Sequence, residues 1–360
     1  NGKNYNFKSN LSGTKVLKEF VDHKDRPITA PFITDHLKNK GESGDLHVTI
    51  TKKNGVGGFS NPEVLPGNKY LKFKVSKAVA SGNIIINVLQ GSEIVWTYHL
   101  WFTTPESTEK VLLTNADNHG GNKLYTAKEP LGWCYNVNST GTSYRVPRFV
   151  YVKLQQKVGN LGKCLTQTVV ITQLPYTSVY GDSPLFQFGR MVPLFLSKDY
   201  NNYREYATIG QAIRWPNRVY TNTAYSSYPN LWNDNVNRNG FEIAYSGVKK
   251  TIYDPCPYGF HMPATNAFAD LRSVKGLFDN GIYLKHGKAY VYMPATSYIY
   301  DGKYTDVNDT GHELGFYWLS VPGNSDSYAA AISFSKTTPN TSKIAYAKIN
   351  AFAVLPQCDE

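Results

Sequence analysis

Residues 249–263, KKTIYDPCPYGFHMP, are the stretch that most constrains the fold of this chain. Pro255 and Pro257 flank Cys256, and each proline holds its own backbone and that of the preceding residue in extended or turn geometry. Gly259 permits a tight turn shortly afterwards. No catalytic pattern occurs in the segment. It therefore predicts a rigid structural corner.

A helix is predicted directly after this corner. Pro263 ends the extended segment, and either Thr265 or Asn266 can serve as an N-cap. Apolar residues then follow at helical spacing, namely Phe268, Leu271, Val274 and Phe278. The pattern predicts a strand-to-helix corner.

Alternating apolar and polar residues predict strands at 45–53, 68–76, 82–90 and 92–103, with weaker strands at 15–22 and 27–34. We interpret residues 1–104 as an immunoglobulin-like or transthyretin-like β-sandwich. The polar segment TTPESTEK (103–110) interrupts the alternation and is the best candidate for a domain boundary. Residues 105–360 then form a second, α+β domain, with further strands expected at 145–155 and 167–174.

Composition favours a mainly β protein. A chain of 360 residues suits two domains, and 27 Tyr and 29 Gly are typical of strands joined by many turns. The net charge is +11, but basic residues such as Lys72, Lys74 and Lys77 alternate along strands and are not clustered. Nucleic-acid binding is therefore not expected.

The four cysteines, Cys134, Cys164, Cys256 and Cys358, form neither a CxxC motif nor a Cys/His metal spacing. An even number fits two disulfides in an oxidising compartment, with three possible pairings. Four buried thiols are the alternative. We expect neither a metal nor a cofactor.

Several segments besides the corner share one resemblance. They are GNIIINVLQGSEIVWTYHLWFT (82–103), SPLFQFGRMVPLF (183–195), IGQAIRWPNRVYTN (209–222), NLWND (230–234), GFYWLS (315–320) and SYAAAISFS (327–335). Together they make most of residues 70–358 similar to the Fibrobacter succinogenes major paralogous domain, which is common in Bacteroidetes surface proteins. The sequence departs from that pattern at Phe188 (usually Trp), at Met191 and Val192 (usually Lys-Asp) and in its AVLPQC ending, so we do not transfer ligand contacts.

This resemblance implies a C-type-lectin-like fold for residues 105–360. It also implies a closing disulfide between Cys256 and Cys358, which would leave Cys134 and Cys164 as the second pair. The same fold occurs in formylglycine-generating enzymes, but their chemistry uses a reactive cysteine pair. Here two of the cysteines are better explained as a structural link, so we do not expect an enzyme.

A recognition surface is predicted on the loops at 225–238 and 298–313, where aromatic residues lie beside Asn and Asp. Packing within long loops is the alternative. The candidate residues are Tyr225, Tyr228, Trp232, Tyr298, Tyr300, Tyr304, Asp306 and Asp309. Oxygen ligands in the loop at 301–313 do not follow EF-hand spacing, so a solvated loop is expected there. Histidines are scattered and no nucleophile is placed beside a base.

The expected function is that of an exported cell-surface adhesin, most specifically a fimbrial tip or accessory subunit. Its sandwich would accept a strand from a neighbouring subunit, and its lectin-like domain would bind a host or bacterial protein or a glycan. The alternatives are a monomeric glycan-binding surface lipoprotein and a formylglycine-generating type of enzyme. No signal peptide or membrane span is visible in the sequence, and we expect any export signal to have been removed.

Overall fold

A computed structural model gives the architecture of the chain. It describes residues 7–9, 16–54, 56, 58–76, 82–112, 124–135, 148–157, 164–173, 181–195, 202–223, 228–236, 247–265, 267–268, 272–278, 280–286, 289–323, 325–337 and 342–359. Strands account for 47% of the residues and helices for 7%, so the mainly β prediction is confirmed. The specific pairing of an immunoglobulin-like with a lectin-like domain stays a prediction.

Residues 33–102 form a small two-layer β structure. Its elements are α1 (Ile33–Asn39), β1 (Leu46–Asn54), β2 (Phe59–Val64), β3 (Leu71–Val75), β4 (Gly82–Gln90) and β5 (Glu93–Phe102). The central strand β4 pairs antiparallel with β1 on one side and with β5 on the other. The β2–β3 hairpin contributes Phe59 to a core that also contains Ile84 and Ile86 from β4. The four strong strand predictions are therefore confirmed, whereas β2 was missed.

The two weak strand predictions fail in different ways. Residues 27–34 do not form a strand, because α1 begins at Ile33. Its Asp35 in the first turn and its Lys38 in the last turn complement the helix dipole. In the segment 15–22, the described residues form only isolated bridges, Lys8 with Glu19 and Val21 with Pro27.

Residues 16–22 contribute to a different core cluster from the one shared by the β2–β3 hairpin and β4. Leu17 and Phe20 belong to a buried cluster with Ile209, Ile213 and Tyr253. The Leu17 amide donates to Asn230 Oδ1 at 3.0 Å, and Asn230 Nδ2 donates back to the Leu17 carbonyl at 3.1 Å. The start of the chain is thus part of the core built by residues 207–253.

The remaining elements are mostly short strands. They are β6 (Lys110–Leu112), β7 (Leu124–Ala127), β8 (Cys134–Tyr135), β9 (Arg148–Lys157), β10 (Cys164–Gln173), β11 (Gly181–Asp182), β12 (Phe186–Gln187), β13 (Asn202–Ala207), α2 (Ile209–Arg214), β14 (Val219–Thr223), β15 (Arg272–Phe278), β16 (Gly281–His286), β17 (Ala289–Pro294), β18 (Tyr298–Tyr300), β19 (Lys303–Thr305), β20 (Leu314–Pro322), β21 (Tyr328–Ser335), β22 (Ser342–Ala347), β23 (Ala351–Phe352) and β24 (Gln357–Asp359). Their sheets have the orders β15-β16-β17, β20-β21-β22, β12-β23-β18-β19 and β24-β7-β6, while β13 and β14 pair in parallel.

The chain divides into two compact units. The first comprises residues 1–135 together with 182–360, and the second comprises residues 136–181. Both sides of the predicted boundary at 104/105 lie in the first unit. In the second unit, the structure describes the β9–β10 hairpin, at the positions where two strands were predicted.

The helix predicted after Pro263 is wrong. Residues 272–278, which hold Val274 and Phe278, form strand β15, and Asn266 and Leu271 lie outside the described residues. The sequence Asp-Asn-Gly at 279–281 explains the difference, because Asn280 has a φ of 51° and joins β15 to β16 as a hairpin. Gly281 is required there, since a Cβ atom would lie 2.4 Å from the Met293 carbonyl oxygen.

Candidate functional site

The corner at 249–263 is held by one carboxylate and one ammonium group. Asp254 Oδ1 accepts from the Cys256 amide at 2.8 Å, and its Oδ2 accepts from the Met262 amide at 2.9 Å. Lys250 Nζ donates to Asp254 Oδ1 at 3.1 Å and also to the carbonyls of Cys256 and Phe260. These charges satisfy buried backbone groups, which is a structural role.

The corner also pairs with the end of the described chain. The amides and carbonyls of His261 and Gln357 exchange hydrogen bonds at 2.7 and 2.9 Å, and Gln357 Oε1 accepts from the Ala264 amide. Cys256 and Cys358 consequently belong to one buried cluster. Cys256 carries a thiol, and burial raises its pKa well above the ordinary value. The predicted disulfide stays a prediction, and the Cys164 side chain lies outside the described residues.

Trp232 is a core residue. Its ring lies 4.7 Å from that of Phe188 between centroids, its Nε1 donates to the Arg190 carbonyl at 3.2 Å, and it is fully buried. The structure therefore places it beneath the surface, where it cannot contact a ligand directly. The prediction that Trp232 binds ligand is corrected accordingly.

Four aromatic side chains from three strands form a cluster that we call the aromatic patch: Tyr298 and Tyr300 of β18, Phe316 of β20 and Tyr346 of β22. Ring centroids are 4.7 Å apart for Tyr298 and Phe316, 5.6 Å for Phe316 and Tyr346, and 6.0 Å for Tyr300 and Tyr346. Tyr300 is 48% exposed and the other three are half-buried. The patch is a partly open aromatic surface.

Strand pairing and packing against the buried Phe352 hold the side chains of the aromatic patch in position. Phe352, fully buried, stacks beneath Phe316 at 5.0 Å, and the Tyr346 hydroxyl donates to Ser333 Oγ at 2.9 Å. The two-residue turn Asp301-Gly302 has positive φ at both positions, 49° and 71°, which matches the twist of the hairpin that carries Tyr300. The prediction placed Tyr298, Tyr300 and Tyr304 in loops, but all three lie on strands, where the backbone is better fixed.

The opposite face of this hairpin carries a different group of predicted residues. Ser297 Oγ donates to Asp182 Oδ2 at 2.8 Å and accepts from the Val307 amide at 3.0 Å. Burial raises the pKa of Asp182 to about 6, against the lowering effect of hydrogen bonds from Ser297 and Ser183. Burial likewise raises the pKa of Tyr304 to about 12. Ser297 is buried and its hydroxyl is fully engaged, so the cluster has a structural rather than a nucleophilic geometry.

The acidic loop is organised by local turns. Asp306 Oδ1 accepts from both the amide and Nδ2 of Asn308, at 2.9 and 2.7 Å, while Asp309 is exposed. Across the described part of the chain, no three His, Cys, Asp or Glu side chains converge in a way that could hold a metal ion.

The two remaining predicted residues are not part of the aromatic patch. Tyr228 is half-buried and packs in the cluster that contains Leu17. Tyr225 lies outside the described residues.

Charged residues near the start of the chain form a second network that sequence reasoning missed. Asp22 is buried and accepts from Arg26 Nη2 at 2.8 Å, and its Oδ2 lies 2.9 Å from His36 Nε2. Burial acts to raise the pKa of Asp22, but the hydrogen bonds from His36 and Arg26 outweigh it and lower that pKa. Arg26 Nη1 also donates to Glu42 at 2.6 Å. The network ties α1 to the preceding turn.

A small cavity lies between Met191, Ile209, Ile213 and Tyr253, among other residues. Its volume of about 20 Å³ is room for about one water molecule. The aromatic patch is therefore a better candidate for ligand recognition than this cavity.

Comparisons with protein-family models, with curated proteins and with solved structures found no match to this chain. No helix among the described residues is both long and apolar enough to cross a membrane.

Proposed function

We propose that this protein is an exported cell-surface adhesin and that the aromatic patch is its recognition surface. The observation that supports this is the convergence of Tyr298, Tyr300, Phe316 and Tyr346 from three strands, with Tyr300 about half exposed. Tyrosine offers a large, stiff contact area with a polar tip, which makes it effective on binding surfaces.

The chemistry around the patch defines the class of ligand. Asp301 and Lys303 are exposed at the tip of the same hairpin, and the Asp301 amide donates to Asn350 Oδ1 at 2.9 Å. Aromatic faces flanked by a carboxylate and an ammonium group suit a glycan, or a protein surface with both apolar and polar groups. Binding rather than catalysis is the role we assign to this surface.

The proposed cellular setting is a fimbrium, with this chain as a tip or accessory subunit. The resemblance to Bacteroidetes surface proteins motivates this setting. Within the described residues, the sheet β1-β4-β5 has β1 at one edge, where a strand from a neighbouring subunit can add through backbone hydrogen bonds. Strand complementation at this edge is the assembly mode we propose.

Alanine substitution of the exposed tyrosine tests the recognition surface. Tyr300→Ala removes the most exposed ring of the patch, and we expect it to reduce binding of the labelled full chain to epithelial cells and to an immobilised glycan panel. Tyr328→Ala is the matched control, because Tyr328 is 43% exposed but its neighbours on β21, Ala330 and Ile332, pack in a different core cluster.

The double variant Tyr300→Ala and Tyr346→Ala should bind less than either single variant. Circular dichroism and the melting temperature show whether each variant is folded. If folded Tyr300→Ala and the double variant bind as well as the unsubstituted protein and Tyr328→Ala, the patch is not the recognition surface.

A further inference from the structure

The β9–β10 hairpin exposes more large apolar side chains than a solvated hairpin requires. Residues Tyr151, Leu154, Val170 and Ile171 are 69, 53, 49 and 54% exposed, and Val169 is also exposed. The two strands pair in register over ten residues, from Arg148 opposite Gln173 to Lys157 opposite Cys164. Several large exposed apolar side chains on one hairpin mark an interaction site or an aggregation hazard.

The register separates the side chains into two faces. Val152 lies opposite Val169, and the alternation places Leu154 and Ile171 on the same face as this pair. The pairs Lys153–Thr168 and Tyr151–Val170 lie on the other face. One face is thus a row of aliphatic side chains, of the sort that packs against another strand or sheet.

The edges of the hairpin are the places where a further strand could add. Among the residues that the structure describes, β9 and β10 form a sheet of two strands only. A two-stranded hairpin is marginally stable in water without further packing, and each of its edges presents unpaired backbone amides and carbonyls. A third strand would pair the backbone groups of one edge and would give the hairpin further packing.

The positive charge of the segment that contains the hairpin favours a third strand with acidic side chains. Residues 136–181 contain five basic residues, Arg145, Arg148, Lys153, Lys157 and Lys163, and neither Asp nor Glu. Three of the five lie on β9 and none on β10. Like charges directly opposite each other destabilise a strand pair, so pairing with the same hairpin of a second copy is disfavoured.

We propose that the outer edge of β9 is a docking site for an acidic partner protein, which adds an extended segment of alternating acidic and apolar residues as a third strand. The apolar residues of that segment lie beside Val152 and Leu154 and extend their face of the sheet. Its acidic residues lie on the other face, beside Lys153. Backbone hydrogen bonds supply affinity, and this alternation supplies register.

A designed peptide tests this docking site on the full chain. The probe is a fluorescein-labelled peptide of alternating valine and glutamate, matched in length to β9, and binding is followed by fluorescence anisotropy. A peptide with lysine in place of glutamate is the charge control. We expect only the glutamate peptide to bind, with an affinity that falls as salt is added.

Charge reversal on β9 provides the matched variants. Lys153→Glu should weaken binding of the glutamate peptide by about tenfold, because an attractive cross-strand pair becomes repulsive. Lys74→Glu, an exposed lysine on the β2–β3 hairpin, should leave it unchanged. Equal binding of both peptides, or no effect of Lys153→Glu, would overturn the proposal.

Two further measurements distinguish an acidic partner protein from two alternatives, which are coverage of the edge by the chain itself and binding to a lipid surface. Hydrogen exchange should show β9 amides that exchange in the free chain and become protected with the glutamate peptide. Protection of the whole strand before peptide is added would mean that the chain covers this edge itself, which rejects the docking site. Binding to phosphatidylglycerol vesicles without binding to the peptide would reject a protein partner in favour of a lipid surface.

Discussion

The hydroxyl group of Tyr253 donates to the carbonyl oxygen of Val21 at 2.8 Å and accepts from the amide of the same residue at 2.7 Å. This pair joins the corner at 249–263 to a segment 232 positions earlier in the chain. The ring of Tyr253 also packs edge-on against Phe20, with centroids 5.6 Å apart. One side chain therefore anchors the start of the chain both by hydrogen bonds and by packing.

Removing the Tyr253 hydroxyl should destabilise the protein. Tyr253→Phe keeps the contact with Phe20 but leaves the Val21 amide and carbonyl without this partner, so we expect the free energy of unfolding to fall by about 1–3 kcal/mol. Urea denaturation measures the change. Tyr258→Phe, at a strongly exposed position of the same corner, should change stability by less than about 0.5 kcal/mol. Equal stability of the two variants would contradict the anchoring role.

The Asp182 carboxyl predicts a specific dependence of stability on pH. Its pKa in the folded protein is about 6, above the ordinary value of 3.8, so the folded state holds this proton more tightly than the unfolded state. The stability that it contributes is therefore present below pH 3.8 and is lost as the pH rises through 6.

Replacing this carboxyl should remove that dependence. We expect Asp182→Asn to flatten the decline in the free energy of unfolding between about pH 4 and pH 6. Urea denaturation at a series of pH values measures this, with the exposed Asp45→Asn as control. If the two variants and the unsubstituted protein show the same pH profile, Asp182 does not carry the raised pKa.

The cysteine pair gives a prediction for the exported protein. We expect Cys256 and Cys358 to be joined there, closing a loop of about one hundred residues that is worth about 3–5 kcal/mol of stability. Peptide mapping after alkylation without reduction should recover the linked peptides, and Cys256→Ser or Cys358→Ser should lower the melting temperature more than Cys134→Ser. Recovery of both Cys256 and Cys358 as alkylated thiols would refute the link.

Location on the cell distinguishes a fimbrial subunit from a monomeric lipoprotein. Strand β24 is already paired with β7, with Cys358 opposite Tyr125, so this strand is not free to extend into a neighbouring subunit. We expect immunogold label against this protein to lie at the distal ends of fimbriae, with a strain lacking the gene as the negative control. Label along the whole shaft would reject the tip position, and label on the cell body alone would favour the lipoprotein.

Local patterns predicted some elements well because their signals did not conflict. Strand β4 occupies the predicted residues 82–90, and β5 lies within 92–103, where a Gly-Ser turn separates two runs of apolar residues. At 268–278 two signals conflicted. The apolar spacing fits a helix, but the Asp-Asn-Gly turn and the pairing of β15 with β16 outweigh it.

Only two of the four residues of the aromatic patch were predicted from the sequence. Tyr298 and Tyr300 were predicted together as aromatic loop residues, and the structure places them on strand β18, where residues two apart share a face. Phe316 and Tyr346 join them through the sheet order β20-β21-β22 and through Phe352 on β23, which depends on contacts between distant parts of the chain. Trp232 was misplaced because its aromatic loop context does not reveal that it packs against Phe188 in a buried cluster that also contains Trp318.

The bond between Val21 and Tyr253 also sets an order of events during synthesis. Val21 leaves the ribosome 232 residues before its partner. At typical rates of elongation this is a wait of roughly 10–50 s. During that time Leu17 and Phe20 lack the apolar residues that bury them in the finished protein. Until the corner at 249–263 has been made, a nascent chain of this protein therefore carries Leu17 and Phe20 without the residues that bury them.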